Sequence, residues 1–139
     1  MLRVHQPLTF WRDFRMIHVD ALDHVAIPVT DMERSLQWYG SVFGLERRFE
    51  KEWGTTPAFL CAGESCIALL ANSSSSLSPG PPTVRHFCFR TDRASFEAAA
   101  KSLSEMGIAY SRDDHQVSLA LYFQDPDGHW IELATYEVS

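Results

Sequence analysis

Two stretches of the chain share one order of hydrophobic and polar positions. Residues 22–45, LDHVAIPVTDMERSLQWYGSVFGL, begin with strict alternation, with Val25, Ile27 and Val29 on one parity and His24, Ala26 and Pro28 on the other. The period then changes from two to that of a helix. Thr30-Asp31 offers a cap, Leu36, Tyr39 and Phe43 recur at helical spacing, and Gly44 can close the helix. Residues 84–108, VRHFCFRTDRASFEAAAKSLSEMGI, repeat the scheme. A strand is followed by the Thr91-Asp92 cap, by Phe96, Ala100 and Leu103 in helical phase, and by Gly107. In each copy a histidine stands in the strand, six or five residues before the Thr-Asp pair.

Three strand-like runs follow each helix. They are Glu46–Trp53, Thr56–Ala62 and Ser65–Ala71 in the first half, and Ala109–Asp113, Val117–Gln124 and His129–Glu137 in the second. Between the halves lies NSSSSLSPGPP, a linker by composition. The pattern therefore predicts β-α-β-β-β twice, an α+β fold. It divides the chain into an N-terminal arm (1–19) and one domain (20–137), made of module one (20–71), a linker (72–82) and module two (83–137).

At 139 residues the chain can bury one core without staples. A net charge of −6 with no basic stripe excludes nucleic acid as an expected partner. No apolar run reaches membrane-spanning length. The opening MLRVHQPLTFWRDFR lacks the apolar centre and small-residue cleavage site of a signal peptide. Cys61, Cys66 and Cys88 are an odd number without zinc-type spacing, and Cys61 and Cys66 flank an expected hairpin at residues 62–65. All three are expected to be reduced core residues in a cytoplasmic protein.

Parity places the candidate chemistry. In VRHFCFR, Phe87 and Phe89 share one face while His86 and Cys88 share the other. In HWIELA, Ile131 and Leu133 lie opposite Trp130, Glu132 and Ala134. The large apolar residues suit packing under the helices, which leaves His24, His86 and Glu132 on the reverse faces. Each alone is more often an ordinary strand residue than a ligand, but the two histidines hold equivalent places in the repeats. Two imidazoles and a carboxylate suit a divalent metal with open coordination positions. Arg90 shares the parity of His86, which suits a surface salt bridge or an anionic substrate at a site's rim. Arg47 and Arg48 point to opposite sides of their strand. Asp113-Asp114 suits a solvent-facing turn, and His129, just after Gly128, is expected to point away from its hairpin.

LDHVAIPVTDMERSLQWYGSVFGL, VRHFCF and YFQDPDGHWIELA together resemble the vicinal oxygen chelate superfamily, over about residues 20–137. That group includes glyoxalases, fosfomycin-resistance transferases, bleomycin-resistance proteins and extradiol dioxygenases. The resemblance implies paired modules curled into an open cup, and metal ligands at His24, His86 and Glu132, with Ala68 at a fourth position. It implies a bound divalent ion (Fe, Mn, Zn or Ni), a small-molecule substrate and a homodimer, in some members with the cup built across two subunits.

Departures from the family pattern narrow the reaction. Ala68 cannot ligate or take a proton, which lowers the expectation of glyoxalase or epimerase activity. Ala26 stands where fosfomycin transferases use a threonine. HQVSLALYFQDPDGHWIE, residues 115–132, is similar to the extradiol dioxygenase signature and would give His115 and Tyr122 catalytic roles in proton movement and oxyanion binding. No histidine lies between His24 and His86, where such dioxygenases usually place another. The leading expectation is extradiol-like ring cleavage. The alternatives are glyoxalase-like isomerisation, metal-assisted transfer, and metal-free sequestration of a small molecule.

Overall fold

A computed structural model describes residue 18, residues 20–71, residue 84 and residues 86–139. The expected N-terminal arm, His18 apart, and the expected linker at 72–82 lie outside the described residues. Module one comprises β1 (His24–Val29), α1 (Met32–Phe43), β2 (Glu46–Arg48), α2 (Glu50–Trp53), β3 (Ala58–Ala62) and β4 (Ser65–Ala71). Module two comprises β5 (Phe87–Arg90), α3 (Arg93–Glu105), β6 (Tyr110–Asp114), β7 (Leu119–Gln124) and β8 (Trp130–Thr135).

Both long helices start and stop on the expected residues. Asp31 accepts a hydrogen bond from the Arg34 amide at 3.0 Å, and Asp92 accepts one from Ser95 at 2.7 Å. Gly44 ends α1 in the left-handed region at φ 65°. After α3, Gly107 takes φ 72° and the Ile108 amide returns to the Leu103 carbonyl at 2.9 Å.

Each module folds into an open four-stranded sheet, in the orders β1-β4-β3-β2 and β5-β8-β7-β6. The β1–β4 and β5–β8 pairs are parallel and the others antiparallel. Parallel neighbours need a long crossover, and in each module a helix and two further strands supply it. The architecture is α+β, built from two βαβββ modules.

One core serves both modules. Ile27 and Val29 of β1, Ile67 and Leu69 of β4, Leu121 and Phe123 of β7 and Ile131 and Leu133 of β8 belong to a single buried cluster with Tyr39 of α1 and Phe96 and Leu103 of α3. The ring of Phe43 on α1 lies 4.9 Å from Phe89 and 5.8 Å from Phe123, both in the second sheet. The helix-facing side of each sheet therefore turns toward the shared core, and the opposite sides turn outward.

Polar contacts fix the modules to each other. DPDG, read from sequence only as a turn, docks on the start of α1. Asp127 accepts from the backbone and hydroxyl of Thr30 and from Arg34 (3.1 Å), and its side chain is 3% exposed. A carboxylate at a helix N-terminus also meets the positive end of the helix dipole. Buried Asp125 accepts from the Tyr39 hydroxyl at 2.7 Å and from the amides of Asp127 and His129. His129, expected to point away, instead pairs with the Pro28 carbonyl at 2.7 Å through Nε2.

Three local expectations are corrected. The first expected strand after α1, Glu46–Trp53, stops at Arg48 because Phe49 adopts φ 62° and begins the short turn of α2. Arg47 clamps that turn, donating to Glu50 at 3.1 Å and to the Gly54 carbonyl at 2.9 Å. The strand expected from Val117 starts at Leu119, because Gln116 takes φ 72° and the His115 amide closes on the Ser118 carbonyl. Finally, Cys61 and Cys66 are not reduced but joined in a disulfide. They are direct partners in the β3–β4 register with Cα atoms 4.1 Å apart, close enough to be bridged without backbone movement. Cys88 alone is free, and it is exposed rather than in the core, so the cysteines no longer argue for a reducing compartment.

An exposed ion network ties α3 to β6. Arg112 makes two 2.8 Å hydrogen bonds to Glu97, and Arg93 adds a third at 2.9 Å. Arg112, then Arg93, holds the Glu97 carboxyl down to about 2 from its ordinary 4.5. A lowered carboxylate pKa favours the folded state above the unfolded value, and that contribution disappears as pH falls through the folded value. Wild type and Glu97→Gln are therefore expected to differ in urea midpoint at pH 7, and the gap should shrink between pH 4.5 and about 2. A gap that persists unchanged at pH 2 would contradict this account.

Candidate metal centre

The outward face of the second sheet carries most of the candidate chemistry. In its register, Cys88 lies opposite Glu132, Glu132 opposite Tyr122, and Tyr122 opposite Ser111. His86 sits immediately before β5 rather than within it. Its Nε2 lies 3.0 Å from Oε2 of Glu132. Glu132 has a side chain only 13% exposed, whereas that of His86 is 43% exposed. His115, on the turn after β6, places Nε2 3.0 Å from the Tyr122 hydroxyl. The ring of Tyr122 meets those of His86 and His115 edge-on, at 5.8 and 6.2 Å. Four of the five expected site residues thus form one continuous group.

The electrostatics of this group centre on Glu132. Burial first, and the Glu132 carboxylate second, raise the Tyr122 phenol above its ordinary value and keep it a hydrogen-bond donor at neutral pH. The same two causes push the Cys88 thiol up to about 11, so it stands beside Glu132 as a neutral thiol. Cys88 had the right parity in the sequence, but nothing there revealed its contact with the acid.

His24 stands elsewhere, on the outward face of the first sheet. Its Nδ1 pairs with Oδ2 of Asp23 at 2.7 Å, and its ring lies 4.7 Å from that of Phe59. The floor around it consists of Phe59, Ala68 and the Cys61–Cys66 disulfide. Cys66 is the register partner of His24, and Ala68 that of Ala26. Trp53 and Phe49 extend the aromatic surface from Phe59, at centroid distances of 4.9 and 6.0 Å. Asp23 was missed in the sequence, although the Asp-His doublet was visible.

The donor atoms suit a divalent ion. His86 Nε2 and Glu132 Oε2, paired at 3.0 Å, are two adjacent donors that would hold such an ion in place of the contact between them. The Asp23 contact holds His24 in the tautomer that leaves Nε2 free, an arrangement typical of metal-ligating histidines. Among the described residues, however, no three His, Cys, Asp or Glu side chains converge as a metal-binding group. His24 and the His86–Glu132 pair belong to separate sheets, each on the side facing away from the common core. No helix among the described residues is long and apolar enough to cross a membrane.

Residues 21–133 match the family model of the glyoxalase/bleomycin resistance protein/dioxygenase superfamily. The chain belongs to that superfamily. Its relatives within the superfamily differ in activity. It is 25% identical to the glutathione transferase FosA of Serratia marcescens, across 83% of this chain and 80% of the transferase. It is 32% identical to the catechol-2,3-dioxygenase of Bacillus subtilis, across 84% of this chain but only 42% of the dioxygenase. Among solved superfamily folds, the fosfomycin resistance protein FosX from Mesorhizobium loti aligns at a TM-score of 0.66 with 21% identity, covering 87% of this chain and 96% of that one. The lactoylglutathione lyase from Agrobacterium tumefaciens aligns at 0.68 with 20% identity, covering 84% and 94%. Membership and fold follow from these likenesses; the reaction does not.

Proposed function

We propose that this chain is a superfamily metalloenzyme in which His24, His86 and Glu132 hold one divalent ion, and that its reaction is extradiol-type ring cleavage of a substrate bound through two neighbouring oxygens. The observation that carries the reading is the unbroken line from His115 through Tyr122 and Glu132 to His86, closed by two contacts of 3.0 Å. Bound Fe(II) or Mn(II) would supply open coordination positions and redox chemistry, whereas Zn(II) or Ni(II) would supply Lewis acidity alone. The protonated phenol of Tyr122 donates to an oxygen on which negative charge develops. Through Tyr122, His115 accepts or returns the proton of a substrate hydroxyl.

The ligand set is completed between two copies of the chain, with His24 from one and His86 and Glu132 from the other. This supports a homodimer, because within one chain the two ligand-bearing faces point away from a shared core. A second reading, metal-assisted transfer without redox chemistry, is favoured by the coverage of FosA, which is nearly double that of the dioxygenase.

Metal analysis followed by oxygen uptake separates the two. The purified protein is expected to hold close to one divalent ion per chain, and after loading with Fe(II) to consume oxygen with one or more catechols. Stoichiometric metal with no uptake across a catechol panel would favour the transfer reading. Metal retained in both His86→Ala and Glu132→Ala would sink the site itself.

A further inference from the structure

The described arginines of this acidic chain fall into two groups. Four of those described are paired with acids: Arg34 with Asp127, Arg47 with Glu50, and Arg93 and Arg112 with Glu97. Each belongs to a helix or to the helix-facing parity of its strand. The other two, Arg48 and Arg90, lie on the ligand-bearing parities. Arg48 is the register partner of Phe59 in the first sheet, and Arg90 that of Ala134 in the second. Among the described residues neither forms a salt bridge, in a chain with a formal charge of −6.

Arg90 is also held in place. Its guanidinium carbon lies 5.1 Å from the centroid of the Tyr136 ring. A guanidinium stacked on an aromatic face keeps its edge N–H groups free for a planar two-oxygen anion. Along its strand Arg90 stands two residues beyond Cys88, which is the partner of Glu132. Two residues of strand span about 6.7 Å, roughly the width of one substituted aromatic ring. Between Arg90 and Asp113 the cross-strand row contains only Ala134 and Ala120, so no side chain rises to block that part of the face.

We propose that Arg90 is the specificity-determining anchor for an anionic group, a carboxylate or a similar oxyanion, on a substrate whose vicinal oxygens bind at His86 and Glu132. The inference rests on the metal-site reading above. The substrate class is then an anionic vicinal-oxygen chelator rather than a neutral one.

Catechol and 3,4-dihydroxybenzoate differ by one carboxylate and serve as probes. Their affinities are measured by anaerobic calorimetry on the Mn(II)-loaded protein, on chelator-stripped protein, and on loaded Arg90→Gln and Arg48→Gln. Loaded wild type is expected to bind the carboxylate roughly tenfold more tightly than catechol, as one charge-assisted contact provides. Arg90→Gln should lose that preference with its affinity for catechol unchanged, and Arg48→Gln should keep it. Equal affinities in wild type, or a preference that survives Arg90→Gln, overturn the assignment. A preference lost in Arg48→Gln alone overturns it in favour of Arg48. The underlying site reading fails separately, if stripped and loaded protein bind catechol equally or if neither probe binds. In the latter case the Arg90 anchor falls with it.

Discussion

Asp125→Ala is expected to lower folding stability by about 3 kcal/mol or more. One carboxylate satisfies three donors there: the Tyr39 hydroxyl, the Asp127 amide and the His129 amide. Removing it leaves the fully buried Tyr39 hydroxyl without a partner, and releases the turn that carries Asp127 onto α1. Tyr39→Phe should cost less, about 1–2 kcal/mol, because it removes a donor and leaves the carboxylate its two amides. Urea titrations of the three proteins provide the comparison. Burial, and then Asp125, raise the Tyr39 phenol far above its ordinary 10. In alkali the unfolded chain therefore ionises this tyrosine first, and wild-type stability falls as pH rises past 10. Tyr39→Phe should show a shallower alkaline decline. Equal stability of Asp125→Ala and wild type would mean that DPDG is only a turn.

Mixing two inactive variants is expected to restore metal binding. If His24 from one copy meets His86 and Glu132 of another, His24→Ala and Glu132→Ala each lose both sites of a homodimer. Co-refolded, they form mixed dimers in which one site has lost two ligands and the other has all three. About one ion per mixed dimer should return, whereas each variant alone should bind the ion on the order of a hundredfold or more weakly, having lost a direct ligand. Metal analysis after gel filtration reads the result. A set contained in one chain gives no recovery under any mixing ratio, and that outcome would remove the shared-site account.

Much of the candidate site was visible as period and parity. Alternation in HVAIPV put His24 opposite Ile27 and Val29, and HWIELA put Glu132 opposite Ile131 and Leu133; the core cluster contains all four apolar residues. The pairing of Glu132 with His86 followed from β5 and β8 becoming parallel neighbours, which the repeat alone did not specify. Parity specifies a face but not what that face meets. Nothing local distinguished a His24 beside the other ligands from one on a separate sheet. DPDG likewise had the composition of a turn, and is one, but the use of both its carboxylates depends on α1, more than eighty residues away. The disulfide was masked by reasoning from the odd number of cysteines, although Cys61 and Cys66 flank a hairpin that makes them direct partners. At Phe49 a bulky residue in the left-handed region broke a strand that its neighbours favoured, with Arg47 closing the turn.

By itself, then, the chain determined its repeated modules, the helix caps and the faces on which His24, His86 and Glu132 lie, because each depends on periodicity or on contacts a few residues apart. Only the tertiary structure decided that the modules share one core through α1 and the DPDG turn, that His115 and Tyr122 join Glu132, and that His24 faces away from them. Those outcomes depend on the docking of two amphipathic layers, which hydrophobic pattern permits in more than one arrangement. The buried Asp125–Tyr39 contact and the Asp127 clasp are the polar contacts that match this one.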